Sequence, residues 1–353
     1  MPLRRKAGLL PRLPLPGMVL MASKKKAAKR KVAKKPAKKP AKKMMEKKIM
    51  KKPISKKAVK MKSKISHPKK KAVAPIKKAT EKMAFPKTPA VPSIRKPKCL
   101  VLAGFGLNSE AELANAFELG GADARIVHFS DIASGKVKMR DYQIFAIPGG
   151  WSFADEISSG RILANKLKST FKAQFDEFVS SGKPVIGVCN GFQTLVKLGA
   201  LPNANLSLSQ EATLTNNASG RFEDRWVHMK PQKSVCKYLE GVPFINCPVR
   251  HGEGRFVVKD EKELAALEKK GLVVLKYSDE KGNCDVPYPL NPNGSPHGIA
   301  GICDPTGKVF ALMPHPEVAV RKECFPRFTS GISHEKNSIR FFQNIVKAAA
   351  EYV

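Results

Sequence analysis

The sequence predicts an α/β fold: one domain over residues 98–353, a mostly parallel sheet with helices on both faces, behind a Lys/Ala/Pro-rich extension over residues 1–97 expected to be disordered. Three observations carry that prediction. Short apolar runs of strand length alternate with stretches whose apolar residues recur every three or four positions, the pattern of successive βα units. One run, PVIGV at residues 184–188, passes through Cys189 straight into a helical stretch, so strand and helix meet at a Gly-x-Cys-x-Gly turn. Charge is also segregated: residues 1–100 hold 35 Lys and Arg against two Glu, a net of +33 out of +36, which leaves 30 basic and 27 acidic residues for the rest.

Within the extension, residues 1–22 set basic residues ahead of apolar ones in the manner of a signal peptide, but Pro11, Arg12, Pro14 and Pro16 interrupt the apolar run. Translation from Met18 or Met21 is the competing expectation. Residues 23–96 are Lys, Ala and Pro in irregular echoes such as KKPAKKPAKK, with too little apolar surface to offset the entropy of ordering. The composition resembles the lysine-rich tails of linker histones. It is open to three readings: a solvated tail, a non-specific nucleic-acid arm, or a transit peptide. No stretch approaches the roughly 18 apolar residues that cross a bilayer, so no membrane is expected.

In the domain, residues 99–105 (CLVLAGF) read as a first strand, 109–119 as a helix, 124–129 as a second strand and 143–147 as a third. Residues 161–181 carry Leu163, Leu167, Phe171, Phe175 and Phe178 at spacings of three and four, one apolar helix stripe. Strands are expected at 184–188, 244–249, 272–277 and 309–313, a short helix at 263–270, and a last helix at 337–353 with Ile339, Phe342, Ile345 and Val346 inward. Asn291 to Ser295 (NPNGS) is turn chemistry. A sheet of this kind gathers its functional loops at the carboxyl ends of its strands.

Cys189 is the candidate nucleophile. Gly187 and Gly191 suit a strained elbow that lifts the sulfur above the sheet, and the helix N-terminus beneath favours negative charge. A thiol nucleophile needs a base and a group to orient that base. His315 and Glu317, two apart in MPHPE, are placed to serve, and His251 and Glu253 in HGEG form a second H-x-E pair. Taken alone, neither pair outranks the other. The first follows a clear strand, and the second sits between glycines in what reads as a loop.

GVCNGFQTL, MPHPE, PGGWSFAD, RFEDRWV, HGEGRF and NPNGS, in that company from about Lys98 to the C-terminus, resemble the glutaminase subunits of phosphoribosylformylglycinamidine synthases, which are class I, triad-type glutamine amidotransferases. The resemblance implies a Cys189, His315, Glu317 triad, oxyanion donors from the backbone N–H groups of Gly150 and Asn190, and Gln193 holding the substrate glutamine. His251 and Glu253 then fall to the site rim or a partner-facing surface, or to a purely structural turn. Ala154 stands where the family usually has Gly. The implied reaction is glutamine hydrolysis that feeds ammonia to a synthetase subunit, with a small bridging subunit as a further partner, for conversion of formylglycinamide to formylglycinamidine ribonucleotide in purine biosynthesis. No cofactor is expected in this chain; ATP and magnesium belong on the synthetase.

The seven cysteines include no C-x-x-C pair, which points away from zinc and toward a reducing, cytoplasmic compartment, and no phosphate loop of the G-x-x-x-x-G-K-[ST] type occurs. Competing functional readings are a nucleic-acid-associated protein working through its tail with the domain as a docking module, an amidotransferase serving another acceptor, or a chaperone- or peptidase-like relative that shares the cysteine elbow. The intact Cys, His and Glu set argues against the first, and MPHPE against the last.

Overall fold

The computed structural model describes residues 95–203 and 209–353; the basic extension, with its expected disorder and nucleic-acid arm, lies outside them. The chain runs through β1 (Lys98–Ala103), α1 (Glu110–Leu119), β2 (Asp123–His128), α2 (Phe129–Ala133), β3 (Ile144–Ile147), α3 (Arg161–Ser180), β4 (Val185–Val188) and α4 (Asn190–Leu198). It continues with β5 (Ala212–Thr215), β6 (Glu223–Pro231), β7 (Ile245–His251), β8 (Arg255–Val258), α5 (Glu261–Lys269), β9 (Val273–Ser278), β10 (Ile299–Cys303), β11 (Val309–Leu312) and α6 (Glu335–Ala349). Among the described residues no helix is long and apolar enough to cross a membrane.

Nine strands form one sheet in the order β2-β1-β3-β4-β11-β10-β9-β6-β7, and β5 pairs with β8 apart from it. From β2 to β11 the neighbours are parallel, and from β11 to β7 they are antiparallel. The expected parallel sheet is thus the half that carries the βα units; an antiparallel arm extends it. Strands β5, β6, β8 and β10 are not signalled by sequence pattern, because they are short or, in EDRWVHMKP, mix charge with aromatics on a half-exposed strand.

Helices cover both faces of the parallel half, and the register shows why. Phe145, Val185 and Val309 lie in one row across β3, β4 and β11, and Ala146, Ile186 and Phe310 lie in the next. Adjacent rows point to opposite faces. Phe145 meets Phe175 and Phe178 of α3, with ring centroids 6.2 Å apart in each case, whereas Phe310 meets Phe341 of α6 at 5.7 Å. The α3 stripe is buried as its spacing predicts. In α6 the inward face is Phe341, Phe342, Ile345, Val346 and Ala349, and the expected core residue Ile339 only packs at its edge.

The antiparallel arm curls back over the parallel half. Although β7 is the far edge strand, its Pro248 carbonyl accepts the N–H of His315 at 2.8 Å, just beyond β11. His251, expected in a loop, is the last residue of β7. The curl delivers its end to the centre of the sheet.

At that centre α4 sits against the strands at backbone contact. A Cβ on Gly191 would lie 2.1 Å from the Ile147 carbonyl oxygen, and one on Gly187 would lie 2.8 Å from the Gly191 backbone. Neither obstacle is a side chain that can swing away. Gly191→Ala is therefore expected to destabilise the domain by about 2 kcal/mol or more, the scale of core overpacking, and to lower expression of folded protein; denaturant unfolding of the variant beside wild type measures it.

Candidate active site

Three neighbouring strands end side by side, and the loops that follow build the site: β3 runs to Gly149 and Gly150, β4 to Cys189, and β11 to His315. Cys189 occupies φ 51°, ψ −103°, a conformation that costs a non-glycine residue on the order of 1–3 kcal/mol and persists only where its surroundings over-determine it. Here its N–H donates to the Leu312 carbonyl at 2.9 Å and its carbonyl accepts the first α4 bond, from Gln193 at 3.0 Å. The elbow is clamped from both ends. Gly149 shows the convergence: a Cβ there would sit 2.7 Å from the His315 ring and 3.4 Å from Cys189 Cβ. This glycine makes room for both side chains, which no local sequence pattern signals.

His315 Nδ1 lies 2.6 Å from Glu317 Oε1, with both residues buried. Nδ1–H donates to the carboxylate, and Nε2, which makes no hydrogen bond, is left for chemistry. Burial opposes a charged ring, but Glu317 and then Cys189 outweigh it and raise His315 to about 10. The imidazolium is the resting form at neutral pH. The Cys189 thiol approaches the Arg250 carbonyl at 3.7 Å, a contact supplied by the curled β7.

A cavity of about 180 Å³ opens over Cys189 and His315, walled also by Asn108, Ser109, Gly150, Trp151, Phe222, Asp224 and Arg250. Drug-sized ligand pockets run to roughly 300–1,000 Å³. This one suits an amino acid. Gly150 is in its wall at φ 144°, where a Cβ would strike the Gly106 carbonyl oxygen at 2.5 Å. Asn190 is the first residue of α4, so its N–H has no partner within the helix. Among the described residues neither N–H enters a loop or cap hydrogen bond between backbone groups. Both remain available as oxyanion donors.

Gln193, which the resemblance gives to the substrate, is engaged with its own chain. It is absent from the cavity wall; its Nε2 donates to the Glu253 carbonyl at 2.6 Å and its Oε1 accepts from Asn190 Nδ2 at 3.0 Å. In this structure it braces loops. The same network includes Glu253, and His251 lies beside it. Glu253 turns inward, accepting the Ser159 N–H at 3.1 Å and pairing at 3.6 Å with Lys197, whose side chain is 1% exposed. His251 is buried, its Nδ1 3.1 Å from Asn217 Oδ1. Burial first, and the nearby His315 second, push it down to about 3, and its ring meets Asn217 and not Glu253.

The loop after Gly150 is strained. Phe153, Ala154, Asp155 and Ile157 all have positive φ, at 53°, 55°, 54° and 70°. Ala154 therefore stands in the backbone region that glycine prefers. The loop is held by a stack of Phe153 on Phe105 at 4.5 Å and by Asn190 Nδ2 donating to Asp155 Oδ1 at 3.2 Å. Among the described residues no group of three or more His, Cys, Asp or Glu is placed to hold a metal ion.

A family model for CobB/CobQ-like glutamine amidotransferase domains matches residues 96–349. The phosphoribosylformylglycinamidine synthase subunit PurQ of Methanococcus maripaludis is 42% identical over 266 residues, covering 72% of this chain and 97% of the relative. PurQ of Treponema denticola is 41% identical over 277 residues, covering 73% and 99%. Among solved structures, PurLQS from Thermotoga maritima superposes with a TM-score of 0.54 at 27% identity, covering 72% of this chain and 99% of the matched one.

Two measurements separate the H-x-E pairs. Glu317→Gln is expected to lower kcat by about a hundred-fold or more, because the ring loses its orienting charge, while Glu253→Gln costs less than about ten-fold and acts through loop placement; steady-state kinetics of both variants would show a reversed order if the wrong pair had been chosen. For His251 the folded state excludes a proton that the unfolded chain takes up between about 3 and about 6.5. Its contribution to stability is unaffected above that window and falls as pH drops through it, by about 1.4 kcal/mol per unit. Denaturant unfolding between pH 7 and pH 5 should show a shallower fall for His251→Gln than for wild type.

Proposed function

The chain belongs to the PurQ family of phosphoribosylformylglycinamidine synthase subunits, within the CobB/CobQ-like glutamine amidotransferases, and from that premise we propose that Cys189, His315 and Glu317 are its catalytic triad. The enzyme subunit hydrolyses glutamine and supplies ammonia for formylglycinamidine ribonucleotide synthesis in purine biosynthesis. It works with a synthetase partner in a complex of the PurLQS kind. A small bridging subunit is proposed as the third component, with ATP and magnesium held by the synthetase.

The observation that carries the triad is the buried 2.6 Å bond between His315 and Glu317 beside a cysteine on a strained elbow. In the proposed mechanism Cys189 and His315 react as a thiolate–imidazolium pair, the thiol proton residing on His315 Nε2; the thiolate sulfur attacks the side-chain carboxamide carbon, and the carbonyl electron pair moves onto oxygen facing the N–H groups of Gly150 and Asn190. Because His315 already holds a proton at neutral pH, it acts first as acid. Its Nε2–H passes to the amide nitrogen as the C–N bond breaks, releasing ammonia and leaving a thioester. The ring, now neutral, takes a proton from water; the hydroxide oxygen bonds the thioester carbon, the C–S bond breaks, and glutamate leaves. Glu317 keeps the ring oriented throughout and stabilises its charged form.

Cys189→Ala in the assembled complex is expected to abolish glutamine-dependent synthesis, by about a thousand-fold or more, and to leave synthesis from added ammonium salt intact. Paired assays with the two nitrogen donors decide it. Glutamine use by the Ala variant at a near wild-type rate would sink the triad.

A further inference from the structure

The two proposed oxyanion donors stand on separate segments, Gly150 in the loop after β3 and Asn190 at the start of α4. Each segment is anchored on its own side: the Gly149 carbonyl accepts the N–H groups of Asn108 and Ser109, and Gly191 seats α4 on β3. The bond that joins the two segments beside the donors runs from Asn190 Nδ2 to Asp155 Oδ1 at 3.2 Å. A second tie, from Lys197 to the Ser159 carbonyl, holds only the far end of the loop. Asn190 is fully buried, and its Nδ2 also donates to Gln193 Oε1 at 3.0 Å. Turned over, the amide would set its oxygen against two other oxygens, so its donor faces Asp155. Asp155 lies outside the cavity wall and within the strained run from Phe153 to Ile157, at φ 54°. A loop in that conformation keeps its shape only where its contacts over-determine it.

Resting on the glutaminase reading, we propose that Asp155 is a positioning residue of the oxyanion site: by gripping the Asn190 side chain it fixes the separation between the N–H groups of Asn190 and Gly150. Both must lie within hydrogen-bond reach of one tetrahedral oxygen, and drift between their segments weakens at least one of the two bonds. The ground-state carbonyl carries less charge than that oxygen, so the loss falls on the transition state. Asp155 touches no substrate and acts through Asn190. Its removal therefore lowers kcat and spares KM.

The test is ammonia release from glutamine by the complex with its synthetase partner, for Asp155→Ala, Asn190→Ala and the double variant. Asn190→Ala keeps the main-chain N–H and removes only the side-chain grip. Each single variant is expected to lower kcat about ten- to a hundred-fold with KM held within about two-fold, short of the roughly hundred- to thousand-fold loss on deleting an oxyanion donor. The double variant should be no slower than the slower single one, because both substitutions remove the same bond. Alkylation of Cys189 by iodoacetamide displaces iodide from a saturated carbon and builds no oxyanion, so its rate should stay at the wild-type value in every variant. Mass spectrometry of the alkylated peptides reads that rate, and the buried Cys99, Cys247 and Cys303 should stay unmodified while the protein is folded. Unchanged kcat, a raised KM, or single losses that multiply in the double variant would overturn the proposal. Cys189 alkylation that slows in step with kcat, or modification of the buried cysteines, would overturn it too, by assigning Asp155 to the fold. No ammonia from glutamine in wild type would instead overturn the glutaminase reading beneath it.

Discussion

The backbone-to-backbone approach of α4 onto β3 and β4 is the constraint on which the rest of the site depends. Two glycines permit it, Gly187 in the strand and Gly191 in the first turn of the helix, where any Cβ would run into main-chain atoms. Given that approach, the connecting residue must turn within one position, and Cys189 takes the positive φ that results. The energetic cost of that conformation is set against the burial of α4, all of whose residues are buried. The sulfur is consequently presented by a rigid junction between two packed elements.

Around the elbow, a buried polar network ties loops from distant parts of the chain to α4. Lys197, near the far end of the helix, donates to the Ser159 carbonyl and pairs with Glu253, while Gln193 and Asn190 on the same helix reach the Glu253 carbonyl and Asp155. Burial lowers Lys197, and Glu253 opposes that shift. Asp155 is raised by its own partial burial. Removing one member would leave a partly or fully buried partner without its hydrogen bond, so the network ties the loop after Gly150 to the segment that follows β7.

The curl of the antiparallel arm brings the third contribution. By returning β7 to the sheet centre it places the Pro248 carbonyl on the His315 N–H and the Arg250 carbonyl on the thiol. The contacts to the His315 N–H and to the thiol thus come from the antiparallel arm, whereas Cys189 and the loop of Gly150 come from the parallel half. The site exists only where the two halves meet.

The sequence by itself determined the parallel half. Its central strands β3, β4 and β11 are short and wholly apolar, its α3 stripe repeats every three or four residues, and its elbow is marked by glycines whose role is local, so Cys189, the α/β class and the H-x-E pair after β11 were all legible without coordinates. Family resemblance supplied the reaction. What only the tertiary structure decided is everything that depends on the curl: that β6 and β10 are strands, that His251 is a buried neutral ring, that Gln193 and Glu253 turn inward, and that Asp224 faces Arg250 across a register no local pattern encodes. Local periodicity reports which face of an element is apolar. It does not report which distant element arrives at that face, and the roles of polar residues are set by that arrival.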